Sequence, residues 1–136
     1  KGDLDPEITS EMVKQIDGEM MNIEGVEAVE TNLKSATLRI SLDISDDASS
    51  DTAASICDKA YSIVDSICPV STYFTNTEEG KMYDLEIAAY TYLVDDAHPV
   101  EGQVYVQLTK TGAGNKVVDN MNSAKNQDLV NQIKRY

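Results

Sequence analysis

The 136-residue chain has no Trp, one Phe, one His, two Cys and three Pro, and each shortage removes a class of explanation. Two cysteines cannot build the disulfide framework that staples small secreted domains. A single histidine leaves no HExxH pair for a zinc protease, and no G-x-S-x-G stretch marks a hydrolase elbow. No run of about 18 apolar residues occurs, so no segment here reads as a transmembrane helix. Bases are scarce too. Eleven Lys and Arg stand against 24 Asp and Glu, a net charge of -13, which repels phosphate backbones and anionic headgroups. Nucleic acid is not an expected partner.

The charge is uneven. Residues 102–136 hold 2 acids and 5 bases, leaving 22 acids (24 − 2) and 6 bases (11 − 5) for residues 1–101. Lys125, Lys134 and Arg135 lie in or near an expected last helix, whose negative macrodipole end cations favour. The chain opens "KGDLDPE" without Met, and we read it as trimmed or processed, with any membrane attachment upstream. Only two Arg, no Trp and many Ser, Thr, Asn and Tyr fit an extracytoplasmic protein of a Gram-positive bacterium.

What is present is periodicity. Asp5 and Pro6 read as a cap and first helical position, and Ile8, Met12, Ile16, Met20 and Ile23 recur at spacings of four and three. Gly25 supplies the left-handed stop, with Val26 for the accompanying contact. From Glu27 the period falls to two: Val29, Thr31 and Leu33, a turn at "LKSA", then Leu38, Ile40 and Leu42 predict a hairpin. Ala53, Ile56, Ala60, Ile63, Val64 and Ile67 predict a second amphipathic helix, capped by Ser50 or Asp51 and stopped by Pro69. Strands are expected over 70–75, 82–93 and 103–109, then a turn at "TGAGNK" and a short helix over 127–135. The order predicts one α+β domain over residues 1–136, with 1–5 a flexible lead-in. Its architecture is a two-layer sandwich, a mostly antiparallel sheet with helices on one face.

The layout of helix, "IEGVEAVETNLKSATLRISLDI", helix and strand over residues 8–93 resembles small extracytoplasmic envelope domains of Gram-positive bacteria, of the ring-building and sporulation-lipoprotein type. That resemblance implies assembly or adhesion rather than catalysis. The extra strand and tail after Val94 depart from it.

The reactive groups are few. Cys57 and Cys68, eleven positions apart on one helix, lie about 16 Å apart along its axis, beyond the reach of a mutual disulfide. They read as small apolar packing residues. His98, in "DDAHPV" beside Asp95 and Asp96, reads as a loop histidine before proline. The acids Asp43, Asp46, Asp47 and Asp51 lack the mid-loop Gly and terminal Glu of an EF-hand, and read as a solvated, helix-capping loop. "TGAGNK" lacks the spacing and hydroxyl of a phosphate loop.

No catalytic residue, metal site or cofactor is therefore expected. If Val70, Thr72 and Phe74, then Leu85, Ile87 and Ala89, and then Val104, Val106 and Leu108 face the helices, the opposite sheet face collects Tyr73, Tyr90, Tyr92, Tyr105, Gln103 and Gln107. Tyrosine suits contact with protein or sugar surfaces; alternatively the C-terminal segment folds over this face. The expected function is a noncatalytic extracytoplasmic binding or assembly domain, the soluble part of a lipoprotein or envelope protein, whose partner is a protein, an envelope component or a second copy. The alternatives are a metal-dependent or enzymatic module using the 43–51 loop or His98, and a small-ligand binder with a pocket between sheet and helices.

Overall fold

A computed structural model describes residues 7–45, 47–75, 82–91 and 104–120. The elements run α1 (Ser10–Met20), β1 (Val26–Lys34), β2 (Thr37–Ile44), α2 (Ser50–Ile67), α3 (Val70–Tyr73), β3 (Asp84–Thr91), β4 (Tyr105–Lys110) and β5 (Val117–Asn120). The strands form one sheet in the order β1-β2-β3-β4-β5. Three of its four pairings are antiparallel, and β2 with β3 is parallel. The α+β class and mostly antiparallel sheet follow the sequence reading. The parallel pair arises because α2 intervenes: a strand entered after a helical crossover returns in the same direction.

Local chemistry sets the boundaries. Thr9, not Asp5, caps α1; its Oγ1 accepts from Met12 N–H at 3.2 Å, while Thr9 N–H meets the Met12 sulfur at 3.5 Å. Residues 1–6 lie outside the described residues. Gly25 does take the left-handed region, with φ 95°, but sits at the entry to β1, several residues beyond the end of α1. A Cβ there would lie in ordinary contact, 3.4 Å from the Ile56 side chain, so it is the backbone conformation and not space that favours glycine. Ser49 caps α2, one residue ahead of expectation, accepting from Thr52 N–H at 3.1 Å.

The segment 70–75, expected as a strand, is instead a single helical turn. Asp65 Oδ1 accepts from Val70 N–H at 2.8 Å, and the Pro69 carbonyl accepts from Thr72 and Tyr73 N–H, each at 2.9 Å. These bonds hold the chain in a turn that the β-branched Val70 and Thr72 would not favour alone. The turn swings Phe74 into the core, 6.3 Å from Tyr83 between ring centroids. The "TGAGNK" stretch is the β4–β5 connection, and β5 itself was not foreseen. Gly112 N–H donates to Asp84 Oδ1 at 2.8 Å and anchors this turn to β3.

Helices α1 and α2 cover one face of the sheet. Ile16 and Met20 of α1 and Ile56, Cys57, Ala60 and Val64 of α2 are buried with Leu38, Ile40, Leu42, Leu85, Ile87, Ala89, Val106 and Leu108. Burying each large aliphatic side chain contributes about 1.5–3 kcal/mol. Among the described residues one cation joins this layer. Lys110 is buried, and its Nζ donates to the carbonyls of Phe74 at 2.7 Å and Thr111 at 2.6 Å. Burial lowers its pKa from the ordinary lysine value, offset in part by the Asp84 carboxylate.

Candidate functional site

The sheet face turned away from the helices is assembled by register. Partnered residues in a sheet share a face, so the pairings place Asp43, Tyr90 and Tyr105 in one row, Ser41, Ala88 and Gln107 in the next, and Arg39, Glu86 and Thr109 in the third. The alternation expected over residues 82–93 and 103–109 is thus observed for the described part. Leu85, Ile87, Ala89, Val106 and Leu108 go to the helix side, and Tyr90, Tyr105 and Gln107 to the other.

Two corrections follow. Tyr73 belongs to α3 and packs against the helix-side core, so it is not part of this face. Tyr90 and Tyr105 are not an exposed pair either. They are 6% and 5% exposed and form, with Ala88, a second apolar cluster separate from the main core. Tyr92 and Gln103 lie outside the described residues, as does the expected helix over 127–135.

Beyond this cluster the face becomes polar and ordered. The Tyr105 hydroxyl donates to Gln107 Oε1 at 3.0 Å, and Gln107 Nε2 donates to Thr109 Oγ1 at 3.3 Å, a ladder along one side of β4. Beside Thr109, Arg39 Nε donates to Glu86 Oε1 at 2.8 Å, with the arginine side chain 54% exposed. A cleft of about 290 Å³ adjoins Arg39 and is lined also by Asn32, Lys34, Ser35 and Thr37. The face therefore grades from buried aromatic to exposed polar, and Tyr105, Gln107, Thr109, Arg39 and Glu86 are each held by a neighbour.

The other sequence candidates are dispersed. Asp43 lies in β2 on the far face, whereas Asp47 and Asp51 are exposed and border an open depression of about 600 Å³ at the N-terminal end of α2. Asp46 and His98 lie outside the described residues. Among the described residues no three His, Cys, Asp or Glu converge as a metal site. Millimolar calcium is accordingly expected to leave the thermal midpoint unchanged, since a ligand stabilises only by binding the native state. A saturable rise, removed by Asp47→Asn with Asp51→Asn, would restore the metal-dependent alternative.

Cys57 and Cys68 are both free and buried. Cys57 Sγ sits 3.6 Å from the Val106 carbonyl oxygen and 3.8 Å from that of Ile87. Burial pushes its thiol up to about 12 and that of Cys68 up to about 11, so neither is a thiolate at neutral pH. Native protein should therefore resist a maleimide probe, and denatured, unreduced protein should show two titratable thiols. Rapid labelling of the native chain would contradict this placement.

Lys116 lies over the Tyr61 ring at 5.0 Å and pairs with Asp58 at 3.3 Å, tying the β4–β5 connection to the middle of α2. No helix among the described residues is long and apolar enough to cross a membrane. Comparison with family models, with curated proteins and with solved structures gives no match.

Proposed function

We propose that this chain is a noncatalytic binding or assembly domain working outside the cytoplasm, as the soluble part of a lipid-anchored or envelope protein, and that it meets its partner through the polar end of the far sheet face. The observation that carries this reading is the fixed array formed by Gln107, Thr109, Arg39 and Glu86 on adjacent strands. Side chains already held by neighbours lose little freedom on binding, which is the advantage of a preorganised contact surface. The buried Tyr90–Tyr105 pair, in the row beside Gln107 on the same face, gives one end of that array a stiff border. The surplus of acids keeps the body soluble and disfavours phosphate-rich partners.

The test is capture from cell-envelope extracts by the immobilised protein. Arg39→Ala with Gln107→Ala removes an exposed ion pair worth about 0–1 kcal/mol and a partly exposed amide, so the fold should persist. The bound species should be lost with this variant and kept with a Lys59→Ala control on the other side. Equal capture by both would remove the far face from consideration. Fractionation of the full-length gene product, with metabolic labelling by a fatty acid, tests the compartment.

A further inference from the structure

Among the described residues strand β1 lies at one edge of the sheet; it is nine residues long and has no buried side chain. Asp84 N–H donates to the Ala36 carbonyl at 2.7 Å, and Ser45 N–H donates to the Gly25 carbonyl at 3.0 Å. Even-numbered β2 positions thus turn their backbone groups to β3 and odd-numbered ones to β1. Thr37, Arg39, Ser41 and Asp43 are therefore the bonding partners of Lys34, Asn32, Glu30 and Ala28, with which they are in register. Val29, Thr31 and Leu33, the alternate residues, direct their N–H and C=O groups outward from the sheet.

We propose that β1 pairs with β1 of a second copy of this chain, antiparallel about a twofold axis through Thr31, so that one sheet runs through both copies. This deepens the assembly reading given above and rests on it. In that register Thr31 opposes Thr31 and Val29 opposes Leu33, every outward group of these three residues meets its counterpart, and both helical layers stay on the same side. Leu33, 36% exposed, gains an apolar cross-strand neighbour. Centring the axis on Glu30 would set two carboxylates directly opposite, which is destabilising. Centring it on Asn32 would oppose Val29 to Ser35, whose φ of 55° belongs to the turn.

The helix layer supports the same occupant. Ser10, Lys14, Asp17 and Met21 recur at spacings of four, three and four, and so share one stripe. The Thr31 hydroxyl donates to Asp17 Oδ1, which places this stripe on the β1 side. The twofold sets the same stripe of the second copy antiparallel to the first and centred near Asp17, which Thr31 holds at the axis, so the two Asp17 carboxylates approach each other while Lys14 of each copy lies about one turn away, beside Met21 of the other, 48% exposed. The two Lys14 ammonium groups offset the two Asp17 carboxylates, so this seam is neutral in sum, whereas each whole chain carries -13.

Sedimentation velocity on the whole chain tests this. The like net charges oppose association, so the dimer should strengthen as NaCl rises from about 0.1 M to about 1 M and the Debye length falls from about 10 Å to about 3 Å. Half-association is expected below about 1 mM. Leu33→Lys, a charge on the edge, should weaken it at least tenfold. Oxidised Thr31→Cys should trap a covalent dimer, since directly opposed bonded residues have Cα atoms about 5.5 Å apart, within disulfide range. A wild-type chain that stays monomeric at both salts up to about 1 mM overturns the proposal, and so does a dimer indifferent to Leu33→Lys. The latter variant keeps the proposal testable if loss of the Asp17 bond unfolds Thr31→Cys. Arg39→Ala with Gln107→Ala should leave the dimer intact and Leu33→Lys should leave partner capture intact, so the two readings fail separately.

Discussion

A Tyr90→Ser, Tyr105→Ser double variant should be largely unfolded at room temperature. Both rings are almost wholly excluded from solvent and stand directly opposite each other on β3 and β4. Truncating one large buried aromatic side chain costs about 3–5 kcal/mol. Two such losses in contact do not add simply, yet even one and a half of them would approach the whole stability of a typical domain, about 5–15 kcal/mol. Circular dichroism and urea titration give the readout. Tyr105→Phe is the control: it keeps the ring and removes the hydroxyl that bonds Gln107, a change of about 1 kcal/mol. A double variant with the wild-type urea midpoint would mean the pair contacts solvent after all, and would return these two tyrosines to the contact surface.

The second large effect is alkaline. Burial moves Cys57 from an ordinary value of 9.0 to about 12 and Cys68 from 9.0 to about 11. For both, the folded pKa exceeds the unfolded one. Below pH 9 both states hold the proton and the stability is fully present; above it the unfolded chain ionises first, and stability is lost until the folded thiol also titrates. At about 1.4 kcal/mol per pH unit for each group, Cys57 alone could remove on the order of 4 kcal/mol by pH 12. Tyr61, also raised chiefly by burial, acts in the same sense, and Lys110, lowered chiefly by burial, acts in the opposite one. The urea midpoint should fall steadily above pH 9. Cys57→Ala should be less stable at pH 7 through lost packing, yet show a shallower fall. An unchanged slope in that variant would assign the alkaline loss to other groups.

How much of this was legible in the sequence depends on the range of the cause. The period-four run Met12, Ile16, Met20 and the alternation Leu38, Ile40, Leu42 report a local geometry that the buried face then confirms. The same holds for Tyr90 against Ala89 and Tyr105 against Val106, which fall on the expected opposite faces. What alternation cannot report is whether a face, once formed, meets water. Tyr90 and Tyr105 have the pattern of an outward pair and the accessibility of a core. The turn at residues 70–73 was misread for a related reason: Val70 and Thr72 favour strand locally, but the Asp65 carboxylate and the Pro69 carbonyl supply bonds that decide for helix. The short β5 and the parallel β2–β3 pairing depend on partners that no window of sequence contains. Of the proposed contact array, Gln107 was anticipated, whereas Arg39, Glu86 and Thr109 emerge only from cross-strand register.

The parallel seam has a bearing on the order in which the chain can fold. The β1–β2 hairpin and the β3–β4 and β4–β5 pairs join strands that follow one another, but β2 and β3 join Thr37 to Asp84, a separation of 47 residues (84 − 37). Loop-closure entropy therefore concentrates at a single line through the centre of the sheet. Each flank is a locally wound ribbon, and α2, which packs on β3 and β4 while α1 packs on it and on β1, is the element that brings the ribbons together. Substitutions that weaken the α2 contact with Ile87 and Val106 should slow folding, whereas equal losses within the hairpin should mainly hasten unfolding.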